Sequence, residues 1–322
     1  MYTQKSYSRR NFIKTLGAAG AGVSLLGLTN PGVHGSPAEN CEPWNIYMFS
    51  KHLQFLTYDE TAEAMKAAGL DGADLTVRPG GHVEPEDVVT NLPKAVKAFE
   101  KKGMKIGMMT SGITDAEAQY TEPVLKTAAE TGIRYYRLGY YSYSDSLGIE
   151  QSIARHRKKL EKIAELNAKY NMHGGYQNHA GTRIGGPVWD VWMLVKDFDP
   201  RLIGCQYDIR HATVEGGYSW PLALKLLQDQ VKTIVIKDFK WEKTSDGWDD
   251  VSVPLGEGMV NFDKYFSLLK ELNIRAPITL HFEYPLYEGE NLSREEKKKQ
   301  AIETIGRDVD KLRKMLKKHG LS

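Results

Sequence analysis

The stretch TYDETAEAMKAAGLDGADLTV (Thr57–Val77) contains one complete helix–strand unit. Thr57 followed by Glu60 forms a capping box, which predicts the start of a helix. Gly69 stands where that helix should end, because glycine readily adopts the left-handed conformation of a helix C-terminus. The segment GADLTV that follows is short, largely apolar and preceded by turn residues, so it predicts a strand.

The same unit recurs along the chain. Predicted strands begin at Trp44, Gly72, Lys105, Arg134, His173, Ile203, Lys232 and Pro277, and a helical pattern follows each of them. Eight alternating units in 322 residues predict an α/β protein with a single-domain (β/α)8 TIM barrel. A doubly wound open sheet would also alternate, but it does not need eight units, and none of the first turns carries a phosphate-binding glycine loop.

Residues 1–40 predict a cleavable signal segment with a short linker, which leaves residues 41–322 for the barrel. SRRNFIK (Ser8–Lys14) places two arginines before a hydrophobic pair and a lysine, and the apolar, glycine-rich TLGAAGAGVSLLGL follows. This arrangement resembles a twin-arginine export signal. The apolar stretch is too short for a comfortable membrane span. We therefore expect cleavage between Val33 and Cys41, a periplasmic location, and no membrane attachment after cleavage.

Composition and charge narrow the class of partner. The chain has 41% hydrophobic and 26% charged residues, as globular proteins ordinarily do. The net charge of +2 falls to −2 without the four basic residues of the leader, so no basic surface predicts nucleic-acid binding. The two cysteines, Cys41 and Cys205, have no neighbouring Cys or His at zinc-finger spacing, and we expect two free thiols.

Polar side chains cluster at the predicted strand ends. Because side chains alternate along a strand, residues two apart share a face. This alternation turns the following residues toward the barrel axis: Asp74, Thr76, Arg78, Arg137, Gln177, His179, Gln206, Asp208, Arg210, Lys237, His281 and Glu283, with His211 just past the sixth strand. A barrel interior is normally filled by branched aliphatic residues. The polar strand ends therefore predict a ligand-binding cavity at the C-terminal end of the barrel.

Several strand-end motifs together resemble a known family. DLTVRPGGHV, TSGI, YQNHAG, QYDIRHA, IKDF, VPLGEG and HFEY occur in this order. They are similar to motifs of the sugar isomerase/epimerase superfamily with a xylose isomerase-like barrel, which includes tagatose and psicose epimerases, and the resemblance runs from Trp44 to about Leu316. In that superfamily Glu, Asp, His and Glu from strands five to eight hold a divalent metal. Carried over by position, these residues become Gln177, Asp208, Val235 and Glu283.

Two of these four positions depart from the pattern. Gln177 can offer a carbonyl oxygen to a hard cation, but it brings no charge and cannot act as a base. Val235 offers no ligand, and either His211 or His179 could replace the missing imidazole, since both lie near the same rim. The resemblance thus implies a Mn²⁺, Mg²⁺ or Zn²⁺ site, weaker than in relatives, on Gln177, Asp208, His211 and Glu283.

The same departures bear on the reaction that the resemblance implies, which is proton transfer beside a sugar carbonyl. Epimerases of this kind use two carboxylates on opposite faces of the carbon, and only Glu283 is retained here. We expect proton abstraction on one face by Glu283, with Lys237 and His179 as alternative bases and a metal or Arg137 at the oxyanion. An isomerase or epimerase is the first hypothesis. Elimination from a 3-keto-glycoside and a non-catalytic sugar-binding protein are the alternatives.

A sugar or glycoside as ligand agrees with the aromatic residues near the strand ends. Aromatic rings in loops above a barrel can stack on a sugar; alternatively, they cover the barrel mouth or an oligomer interface. His82 either reaches the pocket or fixes its own loop. The predicted substrate-binding residues are Arg78, His82, Arg137, Tyr141, Trp241 and His281.

Overall fold

The computed structural model describes residues 44–289 and 291–321. The predicted signal segment, its cleavage region and Cys41 lie outside these residues. Cys205 lies inside them and is a buried free thiol, as expected. None of the described helices is both long enough and apolar enough to cross a membrane.

Eight parallel strands close into a barrel, which confirms the predicted (β/α)8 architecture. Each barrel strand pairs with its neighbours along the chain, whereas the strand order of an open doubly wound sheet reverses at a switch point. The barrel strands are β1 (Ile46–Phe49), β2 (Gly72–Val77), β3 (Lys105–Ser111), β4 (Tyr135–Arg137), β5 (His173–Gln177), β6 (Ile203–Asp208), β7 (Val231–Ile236) and β10 (Ile278–Leu280), the last of which pairs with β1.

Helices cover the outside of the barrel and begin largely where the sequence predicts. Thr57 and Glu60 form the predicted capping box of the first helix, and Gly69 follows that helix with a φ of 81°. Ser293 and Glu296 form a second capping box at the last helix. The helices of the described residues are α1 (Tyr58–Ala67), α2 (Val88–Lys101), α3 (Thr121–Glu130), α4 (Gly148–Tyr170), α5 (Val188–Val195), α6 (Ile209–Gly216), α7 (Trp220–Leu227), α8 (Phe262–Glu271) and α9 (Arg294–Lys318).

The segment after β6 differs from the sequence prediction. The alternation through QYDIRHA predicts a strand that carries Arg210 inward, but β6 ends at Asp208 and α6 begins at once. The side chain of Asp208 accepts a hydrogen bond from the backbone N–H of His211 at 3.1 Å and thereby caps α6. Arg210 and His211 consequently follow the geometry of a helical first turn rather than that of a strand.

The connection after β7 contains an antiparallel hairpin, where the sequence predicts only a long connection. Its strands are β8 (Asp238–Thr244) and β9 (Gly247–Val253), joined by a tight turn. The Asp238 carboxylate accepts hydrogen bonds from three backbone N–H groups beyond the hairpin, which agrees with the expectation that this residue ties down a loop. The hairpin supplies part of the wall of a cavity at the C-terminal end of the barrel.

The interior of the barrel is polar for a TIM barrel. Asp74, Gln206, Thr233 and Thr279 are almost completely buried, although branched aliphatic residues usually fill this space. The side-chain amide of Gln206 has no hydrogen-bond partner among the described residues. Because burying such groups costs free energy, the polar interior indicates a place for water or a ligand rather than a packed core.

Candidate active site

A cavity of about 570 Å³ opens at the C-terminal end of the barrel. Its walls come from the ends of β5, β7 and β10, the start of α6, and the hairpin. A larger cavity of about 1050 Å³ lies between α9 and the segment after β10, but it contains none of the predicted site residues. The smaller cavity lies where barrel enzymes carry their chemistry. The predicted site residues that line it are His179, His211, Lys237, Trp241 and Glu283.

A buried lysine lies between two carboxylates in this cavity. Lys237 directly follows β7, and its Nζ lies 3.3 Å from Oδ2 of Asp208 and 3.6 Å from Oε1 of Glu283. Burial by itself would raise the pKa of Glu283, but the charge of Lys237 lowers this pKa below its ordinary value. Glu283 is therefore an ionised carboxylate at neutral pH and can accept a proton.

Three polar neighbours fix the orientation of Gln177. Its side-chain nitrogen donates to Oδ2 of Asp208 at 2.8 Å. Its Oε1 accepts hydrogen bonds from the hydroxyl of Tyr140 at 2.7 Å and from Nη1 of Arg137 at 3.2 Å. Because a carboxylate only accepts and a guanidinium only donates, the reverse orientation of the amide would mismatch both. The oxygen of Gln177 is thus turned away from the Asp208–Lys237 pair.

His211 has a buried N–H group near Asp208. Nη1 of Arg210 donates to Nδ1 of His211 at 2.9 Å and also pairs with Oδ2 of Asp250 at 2.7 Å. A guanidinium cannot accept, so the proton of the neutral imidazole lies on Nε2. Burial, followed by the charge of Lys237, holds the pKa of His211 well below its ordinary value. The Nε2–H group lies 3.7 Å from Oδ2 of Asp208 and has no hydrogen-bond partner among the described residues.

A second cluster of polar side chains surrounds the ring of Phe49 at the end of β1. The ring of His281 stacks on Phe49 with centroids 4.6 Å apart, and the guanidinium groups of Arg78 and Arg137 lie 5.3 and 5.8 Å from the same ring. Nε2 of His281 lies 3.9 Å from Oδ2 of Asp74, and neither atom has a hydrogen-bond partner within residues 44–289 and 291–321. Burial raises the pKa of Asp74 to about 6. Such unpartnered polar atoms are expected where a polar ligand binds.

His179 and Trp241 lie at the rim of the cavity. The His179 ring lies against the ring of His211 with centroids 3.9 Å apart, and burial lowers the pKa of His179. Nδ1 of His179 lies 2.9 Å from the carbonyl oxygen of Ala180, so it carries the proton and leaves a lone pair on Nε2. Trp241 lies on β8 with 42% of its surface exposed, which leaves a ring face open to a ligand.

Trp241 is the predicted substrate-binding residue that lines this cavity, whereas Arg78, Arg137 and His281 lie around Phe49. The other two, His82 and Tyr141, make structural contacts. His82 lies within hydrogen-bond distance of Ser50 and Thr76, at 2.9 and 3.2 Å, and therefore fixes its own loop, which is the second of the two expected roles. Tyr141 is 3% exposed and donates its hydroxyl to the carbonyl oxygen of Thr114 at 2.9 Å. The structure consequently places Tyr141 in the packing outside the barrel rather than among ligand contacts.

The predicted metal ligands do not fit a divalent cation. The described part of the chain contains no group of three or more His, Cys, Asp or Glu side chains that could hold a metal ion. Nε2 of His211 carries a proton, Gln177 turns its nitrogen toward Asp208, and Val235 is buried hydrocarbon. An ion bound to Asp208 would lie about 4 Å from the Lys237 ammonium, and their repulsion at an effective dielectric constant of about 20 would be about 8 kcal/mol.

One residue and one contact of the site escape sequence analysis, which counts Tyr140 only among the aromatic residues that could stack on a sugar. Asp250 pairs with Arg210 from the unpredicted hairpin. The Asp–Gly pair at the turn of that hairpin, in TSDGW, is the local signal that could have revealed it. Tyr140 orients Gln177 from 37 residues away, and no local pattern indicates a contact of that kind.

The chain belongs to the xylose isomerase-like TIM barrel family, whose model matches residues 62–307. Among curated proteins, an uncharacterised protein of Methanocaldococcus jannaschii is 27% identical over 123 residues, which are 38% of this chain and 40% of that protein. The chain thus matches about two fifths of the length of this relative.

Solved structures share the fold at low sequence identity. A D-tagatose 3-epimerase-like protein has a TM-score of 0.64 and 15% identity over 86% of this chain and 98% of its own. The 3-keto-D-glucoside 4-epimerase of E. coli has a TM-score of 0.60 and 13% identity over 83% and 99%. The D-allulose 3-epimerase of Methylomonas sp., solved with D-allulose, has a TM-score of 0.61 and 13% identity over 84% and 97%. At these identities the similarity concerns the fold.

Proposed function

We propose that this chain is an isomerase- or epimerase-like enzyme that removes a proton from a carbon next to the carbonyl group of a sugar. The observation that carries the proposal is the pair formed by Glu283 and Lys237, whose Oε1 and Nζ lie 3.6 Å apart in the cavity. A carboxylate beside an ammonium group supplies a base and a stabilising charge within reach of one substrate carbon and its carbonyl oxygen. Epimerases among the structures that share this fold support this class of reaction.

The proposed reaction begins with proton transfer to Glu283, whose lowered pKa keeps it ionised. The electron pair of the broken C–H bond forms a C=C bond, and the carbonyl pair moves onto oxygen to give an enediolate. Lys237 lines the same cavity, and its ammonium group can donate to that oxygen. A proton then moves from the hydroxyl of the deprotonated carbon to the former carbonyl oxygen, and Glu283 returns its proton to the former carbonyl carbon, which completes an isomerisation.

Elimination from a 3-keto-glycoside is the second candidate. The same proton abstraction next to a keto group would expel the aglycone instead of returning the proton. The observation that favours it is the half-exposed ring of Trp241 at the mouth of the 570 Å³ cavity, because a second ring system could stack there. A 3-keto-D-glucoside 4-epimerase among the proteins of this fold adds support for an oxidised sugar as the substrate class.

The proposal includes export. The twin arginines Arg9 and Arg10 with the apolar stretch that follows them support transport of the folded protein to the periplasm. An exported enzyme meets glycosides more often than sugar phosphates, which agrees with both candidate substrates.

Exchange of solvent deuterium tests the reaction. The protein in D₂O should exchange the proton beside the carbonyl of a ketose, or release the aglycone of a 3-keto-glucoside, as followed by NMR. Glu283→Gln should lower either rate by roughly 10²–10⁴-fold, because the base is lost. Glu288→Gln, an equivalent change at an exposed position, is the matched control and should retain the rate. Undiminished exchange in Glu283→Gln would refute the role of Glu283, and sugar binding without exchange would indicate a non-catalytic sugar-binding protein.

A further inference from the structure

We propose that the ammonium group of Lys237 takes the place of a divalent metal in this site and that the protein works without one. The inference rests on the proposed function and concerns how the negative charge on the substrate oxygen is stabilised. It is carried by the hydrogen-bonding state of Asp208, by the charge of the site, and by the position of the Lys237 Nζ atom.

The carboxylate of Asp208 is surrounded by donors. Oδ2 lies 2.8 Å from the side-chain nitrogen of Gln177, 3.3 Å from Nζ of Lys237 and 3.7 Å from Nε2 of His211. Oδ1 accepts the backbone N–H of His211 at 3.1 Å. Asp208 is completely buried, so these groups and not water surround its charge. A carboxylate that binds a metal must instead direct a lone pair at the ion, and here each oxygen already faces donors.

The charge of the site remains balanced when Lys237 replaces a metal. In the superfamily that the sequence resembles, a divalent cation faces three carboxylates, which leaves one net negative charge. Here Gln177 stands in place of one carboxylate, and the monovalent ammonium group faces Asp208 and Glu283, which again leaves one net negative charge. The neutral residue at position 177 is therefore the expected companion of a monovalent cation, because it removes one negative charge as the cation loses one positive charge.

The Nζ atom of Lys237 lies between the two carboxylates that the resemblance assigns to the metal. It reaches Asp208 at the end of β6 and Glu283 beyond β10 from the end of β7, between these two strands in the barrel. Val235, where the resemblance expects an imidazole, offers no donor atom and is fully buried. The ammonium group has three N–H donors and can turn one of them to the substrate oxygen while Glu283 removes the proton.

Metal content and metal binding test this inference without any turnover. Elemental analysis of the protein purified without chelator should find far less than one transition-metal ion per chain, and EDTA should not change the midpoint of thermal unfolding. Mn²⁺ is the probe for calorimetric titration. The double variant Gln177→Glu with Lys237→Ala should bind Mn²⁺ on the order of tenfold or more tightly than the unmodified protein, because it restores a carboxylate and removes the competing cation.

Stoichiometric metal in the unmodified protein, or Mn²⁺ binding as tight as in the double variant, would overturn the inference. If the double variant does not fold, the measurements on the unmodified protein decide. Proton exchange that continues after EDTA treatment supports the inference, whereas exchange that requires Mn²⁺ refutes it and keeps the proposed function. Absence of exchange with every sugar refutes the proposed function whatever the metal content. Lys237→Met should lower exchange by roughly 10²–10³-fold, and Mn²⁺ should not restore it.

Discussion

Replacing Asp74 by Asn should stabilise the fold and impair the site. Asp74 is fully buried, and burial raises its pKa from 3.8 to about 6. The folded state therefore binds this proton more tightly than the unfolded state does. The contribution of Asp74 to stability is fully present below about pH 4 and is lost as the pH rises through about 6, and the loss amounts to about 3 kcal/mol.

The Asn variant removes this dependence, because its amide stays neutral at every pH. We expect the unfolding free energies of the two proteins to be similar near pH 4 and the variant to be more stable by about 3 kcal/mol near pH 8. Urea unfolding followed by tryptophan fluorescence at several pH values measures the difference. The difference between the two proteins isolates Asp74, since every other titrating group is common to both.

The control is Asp310→Asn, which makes the same chemical change at an exposed position on α9. It should show no comparable gain in stability at high pH. The Asp74→Asn variant should also turn over more slowly, because Oδ2 of Asp74 is an unpartnered acceptor close to His281. A difference in unfolding free energy that does not change with pH would show that Asp74 is not held at a raised pKa.

Three further predictions concern the rim, the packing and the leader. Trp241→Ala should raise KM by about tenfold, which corresponds to a loss of about 1.4 kcal/mol of binding free energy. Trp248→Ala on the same hairpin is the control and should leave KM unchanged. Equal effects of the two substitutions would argue against stacking of the ligand on Trp241. Tyr141→Phe should lower the unfolding free energy by about 1 kcal/mol and leave kcat unchanged. A loss of activity without a loss of stability would show that Tyr141 contacts the ligand. Changing Arg9 and Arg10 to Lys should retain the precursor in the cytoplasm, as cell fractionation shows, and normal export would contradict the twin-arginine assignment.

The fold could be predicted because its signals are local. The capping box at Thr57, the glycine at the end of α1 and the short apolar strand after it all lie within one unit, and eight repetitions leave few architectures. The structure differs from the sequence prediction where one residue has two local roles. Asp208 ends β6 and also caps α6, and strand alternation carried past it fails because a helical turn follows at once.

The site could be predicted only as a set of residues at the correct end of the barrel. Alternation points Gln177, Asp208, Lys237 and Glu283 in the same direction, and in the structure they form one chain of contacts. Whether Gln177 directs its oxygen or its nitrogen at Asp208 depends on Tyr140 and Arg137, which contact it across the barrel. The proton of His211 likewise depends on Arg210, whose position follows from an unpredicted helix.

These contacts determine which residue is the best probe of the chemistry. Asp208 is a poor choice, because a substitution there would remove the cap of α6 and would also leave Lys237 buried with a weaker partner, so lost activity could reflect lost folding. Glu283 retains 35% side-chain exposure, and its carboxylate pairs with Lys237 alone among the cations of the described residues. Replacing it by Gln keeps the shape and removes the base, while Asp208 still balances the charge of Lys237. An intact fold with lost proton exchange would then assign the chemistry to Glu283 directly.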